Sequence, residues 1–255
     1  MKRFILSFSL ATLVAALVPQ ISAQNPQDAL HAADGNSFAR IVSIFIAPIP
    51  NAPFTATVST EWTRQTSDGA TIVVKNHRLI ARDSQGHVFE ERRRFVPGDS
   101  NAQSLLFQMD YVDPVRHTRT ICLPATSTCD IHGFFGPVDT STIPVGPLPD
   151  GKHYLSREDL GKGETEGLET IGTRETIATN PGTVGNDREV TLAKEFWYSP
   201  KLGVNLLVKR MDPLQGTQVF TVSSISLAEP DARLFVVPAK FRVVDLRAQE
   251  STSAK

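Results

Sequence analysis

Val190 to Tyr198, then Ser199-Pro200-Lys201-Leu202-Gly203, then Val204 to Met211, then Asp212-Pro213-Leu214-Gln215-Gly216, then Thr217 to Leu227: the fold is decided here. Three apolar runs are separated by two Pro/Gly-containing turns of hairpin length, the pattern of an antiparallel β-meander. The stretch is architectural and carries no obvious chemistry of its own.

The same grammar extends upstream. Phe54 to Arg64 is rich in β-branched residues and ends at Ser67-Asp68-Gly69. Thr71 to Arg82 and His87 to Val96 flank Asp83-Ser84-Gln85-Gly86, and Leu105 to Val112 and Val115 to Leu123 flank Asp113-Pro114, so two more hairpins are predicted. Asp130 to Gly151 then breaks the rhythm with glycines and prolines, which suits either a lid over a cavity or an exposed crossover. Leu160 to Thr179 resumes as strands punctuated by Gly161, Gly163, Gly167 and Gly172. Gly161 to Gly167 lacks the spacing of a phosphate loop, and glycines at such positions permit bulges and sharp sheet curvature.

At the other end, Lys2 and Arg3 precede an apolar run from Phe4 to Val18, followed by Pro19 and Ile21-Ser22-Ala23. This is the pattern of a secretory signal peptide cut after Ala23, giving a periplasmic or extracellular protein; the alternative is an N-terminal membrane anchor. Gln24 to Pro50 reads as a linker with a short helix. Ser37 caps a segment whose Phe38, Ile41, Val42 and Phe45 fall at helical spacing, although Ile44-Phe45-Ile46 suits a strand equally well. The expected organisation is a signal peptide at 1–23, that linker at 24–50, one β domain at 51–245 and a disordered tail at 246–255.

A formal net charge of −1 argues against nucleic acid as a partner, because phosphate binding needs a basic excess. Arg92-Arg93-Arg94 is the one basic concentration, and on a strand its side chains alternate between faces, as expected of a solvated edge. Cys122 and Cys129 are the two cysteines, and in an exported chain they are expected to form one disulfide closing a small loop, worth about 2.5 kcal/mol in the chain-entropy model. Their spacing is not that of a redox pair. No His-Glu-x-x-His or Gly-x-Ser-x-Gly motif is present. Asp110, Asp113, His117, Asp130 and His132 are the candidates for an oxygen/nitrogen metal site, against which stands the ordinary exposure of polar strand residues. The expectation is a non-enzyme with no metal and no cofactor.

Three segments carry a resemblance: Gly167-Leu168-Glu169-Thr170-Ile171-Gly172-Thr173-Arg174-Glu175, Glu195-Phe196-Trp197-Tyr198-Ser199-Pro200-Lys201-Leu202-Gly203-Val204, and Leu227-Ala228-Glu229-Pro230-Asp231-Ala232-Arg233-Leu234-Phe235-Val236-Val237-Pro238. In this order they resemble the C-terminal half of LolA/LolB/RseB-like envelope proteins, over roughly residues 160–245. The resemblance implies a mainly β chain: an open half-barrel, a strongly curved antiparallel sheet of meander topology with one or two short helices, whose concave face holds acyl chains. Trp62, Trp197 and Phe220 are the candidate cavity-lining aromatics, with ordinary core packing as the competing role. The functional expectation is therefore a lipid or lipoprotein acyl chain in the concave face. The alternative is an interaction or regulatory module that meets an envelope protein partner and has a filled cavity.

Overall fold

A computed structural model describes residues 29–32, 44–134 and 143–248. The expected signal peptide, most of the expected helix and the expected tail from residue 249 lie outside these residues. Fourteen strands form one sheet: β1 Phe54–Gln65, β2 Thr71–Arg82, β3 Val88–Arg93, β4 Val96–Pro97, β5 Leu106–Asp113, β6 Thr118–Leu123, β7 Thr128–Gly133, β8 Gly146–Pro147, β9 His153–Thr165, β10 Leu168–Thr179, β11 Val190–Ser199, β12 Val204–Asp212, β13 Gly216–Ser226 and β14 Arg242–Asp245. Their order is β14-β7-β6-β5-β3-β2-β1-β13-β12-β11-β10-β9-β8, with the short β4 attached to β2.

Two meanders running outward from the centre are thus joined by one seam, the antiparallel pairing of β1 with β13, in which Val58 faces Val222 and Thr60 faces Phe220. Each predicted hairpin is present, as are β11, β12 and β13. Gly216 makes the last turn possible: its φ is +87°, and a Cβ there would lie 2.1 Å from the Thr63 carbonyl oxygen. The Asp130–Gly151 segment contributes the end of β7 and the edge strand β8. The first glycine-punctuated strand begins at His153, earlier than its apolar residues indicated. Ile44 to Ile49 has no regular secondary structure, and Ile44 and Ile46 are both buried with half-buried Phe45 between them, the alternation of an extended chain. Described helical structure is slight, with a 3-10 turn at Ala232–Phe235.

The sheet must curl. Arg82 on β2 donates from Nη2 to the Leu202 carbonyl in the β11–β12 turn at 2.6 Å. With strands about 4.8 Å apart, those points would be roughly 15–20 Å apart across a flat sheet, beyond one arginine. The face bearing Arg82 is therefore the concave one, and the sheet remains an open half-barrel. That face is apolar at its centre: Phe54, Ala56 and Val58 of β1, Ile80, Phe196, Leu206, Val208, Phe220 and Val222 pack with Ile44 and Ile46. The convex face has its own cluster, in which Ala81, Phe89, Tyr111 and the Cys122–Cys129 disulfide lie under Leu234, Phe235, Val237 and Phe241 of the C-terminal segment. From there the chain adds β14 parallel to β7.

Phe196 is fully buried at the middle of the concave cluster. Phe196→Ala is expected to cost about 3–5 kcal/mol, read as a lower urea midpoint at unchanged slope.

Candidate functional site

Period-two alternation that buries an apolar strip also carries polar side chains inward wherever they share its parity. On β2 that parity gives Arg78, Ile80 and Arg82. Arg82 is fully buried: Nε donates to the Ala52 carbonyl at 2.9 Å and Nη1 to that of Ala47 at 2.8 Å, in addition to the Leu202 bond. Its guanidinium lies 5.1 Å from the Phe54 ring centroid. Burial lowers its pKa to about 10, which leaves it charged at neutral pH.

Arg78 begins a charged ladder on the same face. It meets Glu90 at 3.2 Å, Glu90 meets Arg92 at 3.4 Å, and Arg92 Nε donates to Asp110 at 2.9 Å. Arg119 and Gln108 complete the Asp110 carboxylate at 3.1 and 2.8 Å. Burial alone would raise the Asp110 carboxyl, but the Arg92 and Arg119 charges and the hydrogen bonds from Gln108 and Arg92 outweigh it, so the net shift is downward. The arginine run thus alternates faces as expected, yet only Arg94 is solvated. Arg92 enters the ladder and Arg93 pairs with Glu91 at 2.8 Å on the convex side. Arg92 finds its carboxylate on the next strand, β5, which the local sequence does not reveal, whereas the partner of Arg93 lies two residues before it on β3 itself.

Across the sheet, on β10, β11 and β12, the concave face holds a strap from the chain's own N-terminal part. His31 stacks on Phe196 with centroids 4.0 Å apart and planes 7° from parallel. Its Nδ1 lies 2.9 Å from the Ala32 carbonyl oxygen, and its Nε2 lies 3.2 Å from Glu175 Oε1. Asn205 reads the strap backbone with both amide atoms: Oδ1 accepts from Ala32 N–H at 3.0 Å, and Nδ2 donates to the Ala32 carbonyl at 2.9 Å. Thr173 Oγ1 donates to the Leu30 carbonyl at 3.4 Å. Glu175 also accepts from Arg157 Nε at 3.0 Å and Nη2 at 2.6 Å. Burial pushes the Glu175 carboxyl up, and contacts with His31 and Arg157 bring it net below its ordinary value.

The three aromatics singled out from the sequence do not share one surface. Phe220 is packed in the concave cluster. Trp62 is half-buried on the same face, donates from Nε1 to the Gln215 carbonyl at 2.7 Å and has the Arg64 guanidinium 4.3 Å from its ring centroid. Trp197 follows Phe196 on β11 and so faces the convex side. It lies against Gly163 and Gly172, where added Cβ atoms would come within 2.6 and 3.0 Å of the ring. A groove of about 580 Å³ also opens on the convex side, with Ser59, Glu61, Lys75, His77 and Thr221 along it beside Ser100 to Ser104. Of the residues weighed for a metal, Asp110 is engaged by arginines, while His117 is exposed in the β5–β6 turn with φ +51°. Among the described residues no group of three or more His, Cys, Asp or Glu is placed to hold a metal ion.

Neither a protein-family model nor a curated protein matches the chain. Among solved structures it is similar to an uncharacterized conserved protein from Thermus thermophilus, with TM-score 0.39 and 12% identity over 76% of this chain and 91% of that one. It is also similar to the Pseudomonas aeruginosa MucA/MucB complex structure, with TM-score 0.37 and 14% identity over 75% of this chain and 58% of that one. A third is a LolA superfamily protein from Nitrosomonas europaea, with TM-score 0.29 and 10% identity over 74% and 91%.

Because the Asp110 carboxyl lies below its ordinary 3.8 in the folded chain, its contribution is present at neutral pH and is lost as pH falls through the folded pKa. Asp110→Asn is expected to flatten the loss of stability below about pH 4, and Asp110→Ala to cost about 3–5 kcal/mol at neutral pH by leaving buried arginine charge uncompensated. Urea titrations across pH check both.

Proposed function

We propose that this chain is an exported, non-enzymatic binding module of the cell envelope that acts through protein–protein contact, its concave face being filled from within. The observation that carries this reading is the occupancy of that face. Ile44, Ile46 and the His31 strap lie over Phe54, Val58, Phe196, Leu206 and Phe220, all at 2% exposure or less. An acyl chain in the same place would have to displace them. It would offer no hydrogen bond to Asn205, Thr173 or Glu175, and each polar group buried without a partner costs about 1–3 kcal/mol.

The charged groups of the face support a binding role over catalysis, since Arg78, Glu90, Arg92 and Asp110 neutralise one another instead of converging on an open cleft. Export is supported by the Lys2-Arg3 and apolar leader and by the buried Cys122–Cys129 bridge, a bond that persists in oxidising compartments.

Native mass spectrometry of the mature protein recovered from a periplasm, followed by lipid extraction, tests the reading. The expected result is the mass of the disulfide-bonded chain alone with no acyl species recovered. Near-stoichiometric acyl lipid would overturn it in favour of a carrier.

A further inference from the structure

Leu30-His31-Ala32 belongs to no strand, whereas the β10, β11 and β12 ladders beneath it are paired without it. The strap is held through side chains of the sheet, and in a form that a peptide from elsewhere would reproduce. Asn205 satisfies one residue's N–H and carbonyl together, Thr173 takes the carbonyl two residues earlier, and Phe196 with Glu175 receives the planar ring between them. Asn205, Thr173, Glu175 and Phe196 are each at least nine-tenths buried. Were the strap simply to leave, three buried polar side chains would lose partners, so it exchanges only for an occupant of equal chemistry.

Resting on the interaction reading above, we propose that this slot on the concave face is a polypeptide-recognition site for a partner segment in which a histidine directly precedes a residue other than proline, and that the chain's own His31 strap closes it in cis. The ring position selects a cationic imidazole. Nε2 lies 3.2 Å from the Glu175 carboxylate, an ion-pair distance that favours the charged ring, while Nδ1 faces the Ala32 carbonyl. Glu175 of β10 meets the ring, Arg157 of β9 pairs with that carboxylate, Lys194 of β11 stands opposite Glu175 in the register, and Arg210 of β12 stands opposite Lys194. Glu175 alone attracts the cation. The residue after the histidine is read through its backbone, because Asn205 engages both the N–H and the carbonyl of Ala32, which excludes proline there.

The probe is a fluorescein-labelled decapeptide with the sequence of Gln24 to Ala33, titrated by anisotropy into the mature full-length protein. Two variants loosen the cis strap while leaving the slot intact: Ala32→Pro removes the N–H that Asn205 accepts, and His31→Ala removes the ring. Both are expected to bind the probe about tenfold or more tightly than wild type does. Replacing the probe's histidine by alanine is expected to abolish binding. Affinity is expected to be higher at about pH 5.5 than at about pH 8.5, on either side of the ordinary histidine pKa near 6.5, and Glu175→Gln in the loosened background to remove that difference. No saturable binding by a loosened variant that melts cooperatively, or binding indifferent to the probe's histidine, overturns the proposal. If neither variant folds, wild type at millimolar probe decides in the same way, since a cis competitor raises the apparent Kd without abolishing saturation. A silent probe beside a lipid-free mass removes the slot and leaves the interaction reading standing, whereas stoichiometric lipid removes that reading itself.

Discussion

The guanidinium of Arg82 holds together parts of the chain that the sheet's own ladder leaves apart. Three carbonyls, Ala47 of the N-terminal segment, Ala52 just before β1 and Leu202 of the β11–β12 turn, converge on one cation. None of those acceptors carries a formal charge, so the cost of burying the cation is met by hydrogen bonds and by the Phe54 ring face. Geometry follows from this chemistry. An arginine has donors fixed in a planar fork, so satisfying three backbone carbonyls at once fixes how far the sheet bends and where Ala47 and its neighbours cross its mouth. With that crossing fixed, Ile44 and Ile46 enter the concave cluster and close it.

Around this centre the concave face is apolar in the middle and charged on both flanks. The Arg78–Asp110 ladder lies toward β5 and β6, and the Arg157–Glu175–His31 group lies toward β9 and β10. Such pairs add little net stability over hydrophobic replacements, but they penalise every arrangement that separates them. A one-residue slip between β3 and β5 would turn Glu90 and Asp110 to opposite faces and leave arginines buried without partners. The ladder therefore specifies register, a task that the short β3 and β6 strands, each only six residues long, would perform poorly through apolar contacts alone.

Much of the architecture was legible because it is local. Turns such as Asp83–Gly86 and Pro200–Gly203 declare themselves through residues that suit particular backbone conformations, and each joins strands that pair directly. The β1–β13 seam and the parallel β14–β7 pair were not legible, since no turn connects them and their strands resemble any others. The same asymmetry governs the site. Phe220 and Trp62 were correctly read as strand aromatics, but which face each occupies relative to Trp197 depends on parity through β11, where Phe196 takes the inward position. His31 and Asn205 carried no motif; the bonds between Ala32 and Asn205 span most of the chain, and the only trace of Asn205's role is a polar residue between Val204 and Leu206 in an otherwise apolar run. Arg92 was read as solvated because its partner, Asp110, comes from the next strand of the sheet.

The seam has a consequence for how the chain comes to be folded. Among the described strands β1 comes first, yet one of its two neighbours, β13, comes almost last. Until β13 emerges, the first meander exists with the long β1 edge open and with half of the concave cluster facing water, and a twelve-residue unpaired edge is a template for association between chains. Closing that gap brings together residues more than a hundred and fifty positions apart, as with Thr60 and Phe220, which puts the decisive contact on the slow side of the relation between topology and folding rate. Maturation is therefore a race between late closure of the seam and pairing with a neighbour in the same half-made state.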